Sequence, residues 1–116
     1  MTISIDLSNF RDITEGDVEL EAELFNDFIS SFEALLSELE KADGSVLREG
    51  VSYKKSAHSL KGLAANLGAF KLAQYCEDAQ DASTEEAKAG LLKSMREEFA
   101  AIKVYLLSEM DSLTAG

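Results

Sequence analysis

The sequence predicts an all-α protein, an antiparallel four-helix bundle with a short extra helix at its N-terminus. Two observations carry this expectation. The 116 residues contain no proline, and apolar residues recur at alternating spacings of three and four along most of the chain, the period of one helical face. The length suffices for one modest core, so residues 1–116 are expected to form a single domain.

Taken in order, Leu7 to Ile13 reads as a short packing helix. Leu24, Phe28, Phe32, Leu35 and Leu39, flanked by Phe25, Ile29 and Leu36, place an apolar stripe on a helix from about Val18 to Ala42. Asp17 is the expected N-cap, Glu19 and Glu21 suit the positive end of the helix dipole, and Asp43-Gly44 ends the run. Residues 45–51 stay open: Val46 and Leu47 fit a short helical turn, and Gly50 interrupts it. With Ser52 as candidate cap, the next helix runs from Tyr53 to about Asn66, and Gly68 supplies the break. Another follows from Ala69 to about Ala82, with Ala69, Leu72, Ala73, Cys76 and Ala79 inward. Ser83-Thr84-Glu85-Glu86 reads as a capping box from Ser83 to Glu86. In the last helix, Leu92, Met95, Phe99, Ile102 and Leu106 form the seam that nearly antiparallel bundle packing requires.

Composition excludes several functions. Twenty-two acidic residues against eleven basic ones give a formal net charge of -11, which argues against nucleic acid as the main partner. No run of about 18 apolar residues offers a membrane span. Met1 to Phe10 lacks the basic start and apolar stretch of a signal peptide, so a cytoplasmic protein is expected. The lone Cys76 fits a reducing compartment and, in line with Leu72 and Ala79, a small core residue. One histidine and one cysteine at unrelated positions make no closed metal-ligand set. Neither a GxxxxGK[ST] loop nor a kinase glycine loop occurs, so the chain has no visible means of binding ATP. The abundant Asp and Glu residues read as a solvating surface.

Within this acidic chain, Val51 to Tyr75 contains four lysines, the only histidine and no acid. On a wheel of about 100° per residue with Tyr53 as reference, Ala57, Leu60, Ala64 and Leu67 fall within about 40° and define a core face. His58 lies about 140° away, toward solvent. Lys54, Lys61 and Ala65 flank it on one side, Lys55 and Gly62 on the other. An exposed histidine is most often inert, and lysines on a solvent face are most often merely solvated. Two details favour function here. Gly62 stands in mid-helix, where glycine costs about 1 kcal/mol relative to alanine and no turn is needed. The lysines surround a group that needs no cations for folding. A neutral imidazole is a nucleophile, and neighbouring cations steady a phosphoryl group attached to it.

Ala57-His58-Ser59-Leu60-Lys61-Gly62, followed by Ala65-Asn66-Leu67-Gly68-Ala69 and Leu72, resembles the signature of histidine-containing phosphotransfer (HPt) domains. In helix order and length the resemblance covers about the whole chain, although only the stretch from Ala57 to Leu72 is distinctive. Leu63 departs from it, since the family more often has a small residue there; it projects to the side of the helix, to pack on a neighbour or widen an apolar docking rim. The resemblance implies a phosphorelay intermediate of a two-component signalling pathway. His58 would take a phosphoryl group from a receiver-domain aspartate of a hybrid sensor kinase and pass it to the receiver domain of a response regulator. Lys61 would be the stabilising cation and Gly62 would leave room for the partner, with Lys54, Lys55 and Ala65 as further docking residues. Gly68 would make the turn into the next helix. Mg²⁺ and the acceptor aspartate would belong to the receiver, so no cofactor is expected on this chain, a monomeric phosphocarrier without kinase activity. Two alternatives stand beside it: a non-catalytic helical adaptor that docks and sequesters a receiver domain, and a fragment of a larger hybrid kinase. The Met1 start and the short tail Thr114-Ala115-Gly116 favour a free-standing protein over the fragment.

Overall fold

Five helices form: α1 (Ser8–Thr14), α2 (Val18–Ala42), α3 (Leu47–Leu67), α4 (Phe70–Asp81) and α5 (Glu85–Ala115). The computed structural model describes the backbone of residues 5–42 and 47–115, and the side-chain surroundings of residues 5–39 and 54–111. No strand occurs among the described residues.

The local signals decide most boundaries. Asp17 caps α2 as expected, its Oδ1 accepting from the Leu20 backbone N–H at 3.0 Å. The positive φ of Glu15 and Gly16 turns the chain out of α1. Asp43-Gly44, the expected end of α2, lies outside the described residues, as does Val46. The α3 helix is longer than the sequence reading allowed. It begins at Leu47, so Gly50 does not interrupt it and Ser52 is an interior residue rather than its cap. One glycine opposes helix by only about 1 kcal/mol, which continued backbone hydrogen bonding and tertiary packing outweigh. A second correction concerns α5. Its cap is Thr84, whose Oγ1 accepts from the Ala87 N–H at 3.1 Å. Glu86 is then one position too early to close a reciprocal box.

Packing follows the apolar stripes. α3 lies against both α2 and α4, α5 lies against the same two helices, and α1 rests on α2 and α3. Phe25, Phe32 and Leu39 of α2, Leu60 of α3, Leu72 and Cys76 of α4, and Met95, Ile102 and Leu106 of α5 are fully buried. Phe32 stacks on Phe99 at 4.6 Å between centroids, and Phe10 stacks on Phe25 at 4.9 Å, so aromatic contacts tie α5 and α1 to α2. At about 1.5 Å per residue, the 31 residues of α5 account for most of the 49 Å long axis.

Two acids depart from the expected solvating surface. Glu21 is buried between α1 and α2, where Arg11 Nε lies 3.6 Å from its Oε1 and Thr14 Oγ1 donates to its Oε2 at 3.2 Å. Arg11 also donates to Glu109 Oε1 at 2.6 Å and so joins α1 to α5. Glu98 is covered because it shares a stripe of α5 with half-buried Leu91 and Tyr105, two turns away on either side.

Candidate functional site

The site is built on α3. Ala57, Leu60 and Ala64 are completely buried and Leu67 nearly so, which fixes one face of this helix into the core. The opposite face follows from the helical period: His58 is exposed, as are Lys54 and Lys55 one turn before it, Gly62 one turn after it and Ala65 two turns after it. These expected site residues therefore share one surface. The side chain of Tyr53, the reference direction of the wheel, lies outside the described residues.

Lys61 is placed differently from its lysine neighbours. It is half-buried at the α3–α4 boundary, and its Nζ donates to Glu77 Oε1 at 2.9 Å. The Lys61 ammonium, through hydrogen bonding and charge, holds the Glu77 carboxyl below its ordinary range. Gln74 Nε2 approaches the other Glu77 oxygen at 3.4 Å and donates to Asp78 Oδ1 at 3.0 Å. Glu77 is the site neighbour that the sequence reading missed. A signal for it existed: residues 61 and 77 stand equally far from Ala69, as partners across a helical hairpin should.

The two glycines of the motif serve unlike ends. A Cβ at Gly62 would meet nothing within 4 Å, so packing within the chain does not require glycine there. Gly68 has φ +98°, and a Cβ at this position would lie 1.8 Å from the Asp6 carbonyl oxygen. The Asp6 N–H donates to the Gly68 carbonyl at 2.9 Å, and the Ala69 N–H reaches back to the Ala64 carbonyl at 2.9 Å. Those bonds close α3 with a Schellman turn and seat the N-terminal segment on it. Gly68 is thus the expected turn into the next helix, and its need for glycine is structural.

On the α2 side of α3, half-buried Leu63 lines an open groove of about 390 Å³ with Phe10, Ile13, Leu24, Phe28 and Leu67. Leu63 both packs on its neighbours and forms part of an apolar rim. Cys76 is buried in the core against Met95, with Sγ 3.5 Å from the thioether sulfur. Burial pushes its thiol up to about 12, which leaves it un-ionised and unreactive. Among the described residues no three His, Cys, Asp or Glu side chains gather as a metal-ligand set, and no helix is long and apolar enough to cross a membrane.

A solvent-facing imidazole on a core-anchored helix, with cations before and after it and open space one turn on, is an arrangement that can present a nucleophile to another protein. Residues 23–115 match the sequence profile described as the Hpt domain. No curated protein sequence matches the chain. Among solved structures it is similar to the crystal structure of histidine-containing phosphotransfer protein B (HptB) from Pseudomonas aeruginosa PAO1, with a TM-score of 0.79 and 24% identity over 97% of this chain and 98% of that one. At that identity the likeness is one of fold. The profile runs from within α2 to the end of α5 and takes in His58 with all its helical neighbours, so the chain belongs to the Hpt domain family.

Proposed function

We propose that His58 accepts a phosphoryl group from the aspartyl phosphate of a sensor-kinase receiver domain and passes it to the receiver domain of a response regulator. A phosphotransfer role in a two-component phosphorelay comes with the family, whose members are phosphocarriers and not kinases. The observation that carries the assignment to this residue is the exposure of His58, the sole histidine, on the cationic face of α3. In the forward step a lone pair of one imidazole nitrogen attacks phosphorus. The P–O bond to the aspartate breaks, the carboxylate leaves with that electron pair, and the second ring nitrogen keeps its proton. The reverse chemistry on a second receiver returns the imidazole.

The chain's own contribution is a nucleophile and a cationic setting. Lys61 is read as the cation nearest the transferring group, while Lys54 and Lys55 act on encounter with an acidic receiver surface. Gly62 and Ala65 leave the ground beside the imidazole low enough for a partner to approach. Mg²⁺ and the acceptor aspartate are assigned to the receiver, and no cofactor to this chain. The proposal includes a monomer in the cytoplasm, one domain in which α2 to α5 close as an antiparallel bundle. The pairwise packing of those four helices and the reversal at Gly68 support that arrangement.

Incubation with a phosphorylated receiver domain should give an acid-labile, base-stable phosphoprotein. His58→Gln should melt like the wild type, since an exposed side chain is lost, and should take up no label. Equal labelling of both proteins would end the reading. Receiver binding by a wild-type chain that never takes label would leave the adaptor reading in its place.

A further inference from the structure

We propose that Glu77 is a positioning residue for phosphoryl transfer: its carboxylate shares the Lys61 ammonium with the phosphoryl group on His58 and so limits how tightly that group is held. The inference rests on the phosphotransfer reading of His58 and goes beyond it.

Lys61 lies one turn from His58 on α3, within the reach of true surface neighbours on a helix. Yet the atom its ammonium touches belongs to α4, Glu77 Oε1 at 2.9 Å. The carboxylate does not trail in solvent. One oxygen takes Lys61 from across the helix boundary and the other faces the Gln74 amide of its own helix at 3.4 Å, so the carboxylate is oriented from both ends. The depressed Glu77 carboxyl, with Lys61 as its first cause, agrees with a formed pair.

A phosphoryl group on His58 would bring negative charge and several strong acceptor oxygens to within one turn of the same ammonium. An ammonium has three donors and can serve two anions at once, but each then feels a cation partly neutralised by the other. Glu77 therefore weakens the hold of Lys61 on the phosphoryl group. For a carrier this has a use. The group must leave His58 as readily as it arrives, and a lysine free of any acid would favour loading over release. The pair is also too open to be a pillar of the fold, with side chains 37% and 43% exposed. Ion pairs at that exposure contribute little to stability.

The test is the equilibrium partition of radiolabelled phosphate between the full-length chain and whichever receiver domain from a panel loads it fastest. Wild type, Glu77→Gln, Lys61→Met and the double variant are compared. Glu77→Gln should shift the partition toward phosphorylated His58 by about three- to fivefold, the scale of a half-exposed ion pair, while melting like the wild type. In the Lys61→Met background the same change should have no effect, because Glu77 acts through that lysine. Gln74→Ala, which loosens the carboxylate and keeps its charge, should shift the partition in the same direction by less. An unchanged partition in Glu77→Gln, with the wild type loading normally, would overturn the proposal. So would a shift of equal size without Lys61. A wild-type chain that takes no phosphate from any receiver would overturn the phosphotransfer reading itself, and the role of Glu77 with it.

Discussion

At the scale of single residues, Gly62 sets folding against function. The helix is unbroken through it and a Cβ there would touch nothing, so the backbone gains nothing from glycine. Gly62→Ala should raise stability by about 0.5–1 kcal/mol through helix propensity and lost unfolded-state entropy, readable as a higher urea midpoint. Gly62→Gln should also fold, but its side chain would stand one turn from His58, where under the proposed function a receiver would align its phosphoryl group. Small misplacements at a reacting centre cost orders of magnitude, so single-turnover transfer should fall by at least tenfold. A Gly62→Gln protein that transfers at the wild-type rate would show that the partner does not use this ground. Sequence alone placed His58, Gly62, Lys54 and Lys55 on one exposed face, because one helical period fixes which residues of a single helix share a face. Glu77 and buried Glu21 were not legible in that way: each answers to a cation on another helix, and a wheel carries no information about neighbours across space.

At the scale of elements, the α3–α4 turn contrasts with the site glycine. Gly68 is held at φ +98° with the Asp6 carbonyl pressed against the place a side chain would occupy. Gly68→Ala should therefore destabilise the protein by about 1–3 kcal/mol, by backbone strain and by displacing the N-terminal segment. Chemical denaturation of this variant beside Gly62→Ala should move the two midpoints in opposite directions. The element boundaries were legible where one local signal dominated. Asp17 capped α2 at the expected residue, and Gly68 ended α3 within one residue of it. Boundaries failed where two neighbouring signals were nearly equal. Ser83 and Thr84 are adjacent hydroxyls of similar capping strength, and Thr84 is the one that accepts from the Ala87 N–H. Gly50, at a cost of about 1 kcal/mol, opposed helix too weakly to stop α3.

At the scale of the whole molecule, Cys76 reports on the integrity of the core. Its thiol is enclosed between α4 and α5 and is pushed from 9.0 to about 12. A raised thiol favours the neutral form in the fold, so its contribution to stability is complete below about pH 9 and is lost as pH climbs toward 12. Native protein at pH 8 should resist a thiol-specific disulfide reagent for as long as it stays folded, and one equivalent should react in denaturant. Rapid labelling of the native state would mean that α4 opens from the core locally. The same core has a consequence for recognition. Ala57 and Leu60, immediately before and two residues after the imidazole, are completely buried. The backbone that carries the imidazole is thus anchored in the core, and the entropy of ordering that backbone is settled during folding instead of at each encounter. Under the proposed function, a mounting of this kind would leave adaptation to the visitors: loops on a receiver would reshape themselves to it, and fidelity among receivers would depend on which of them can do so within the lifetime of a collision.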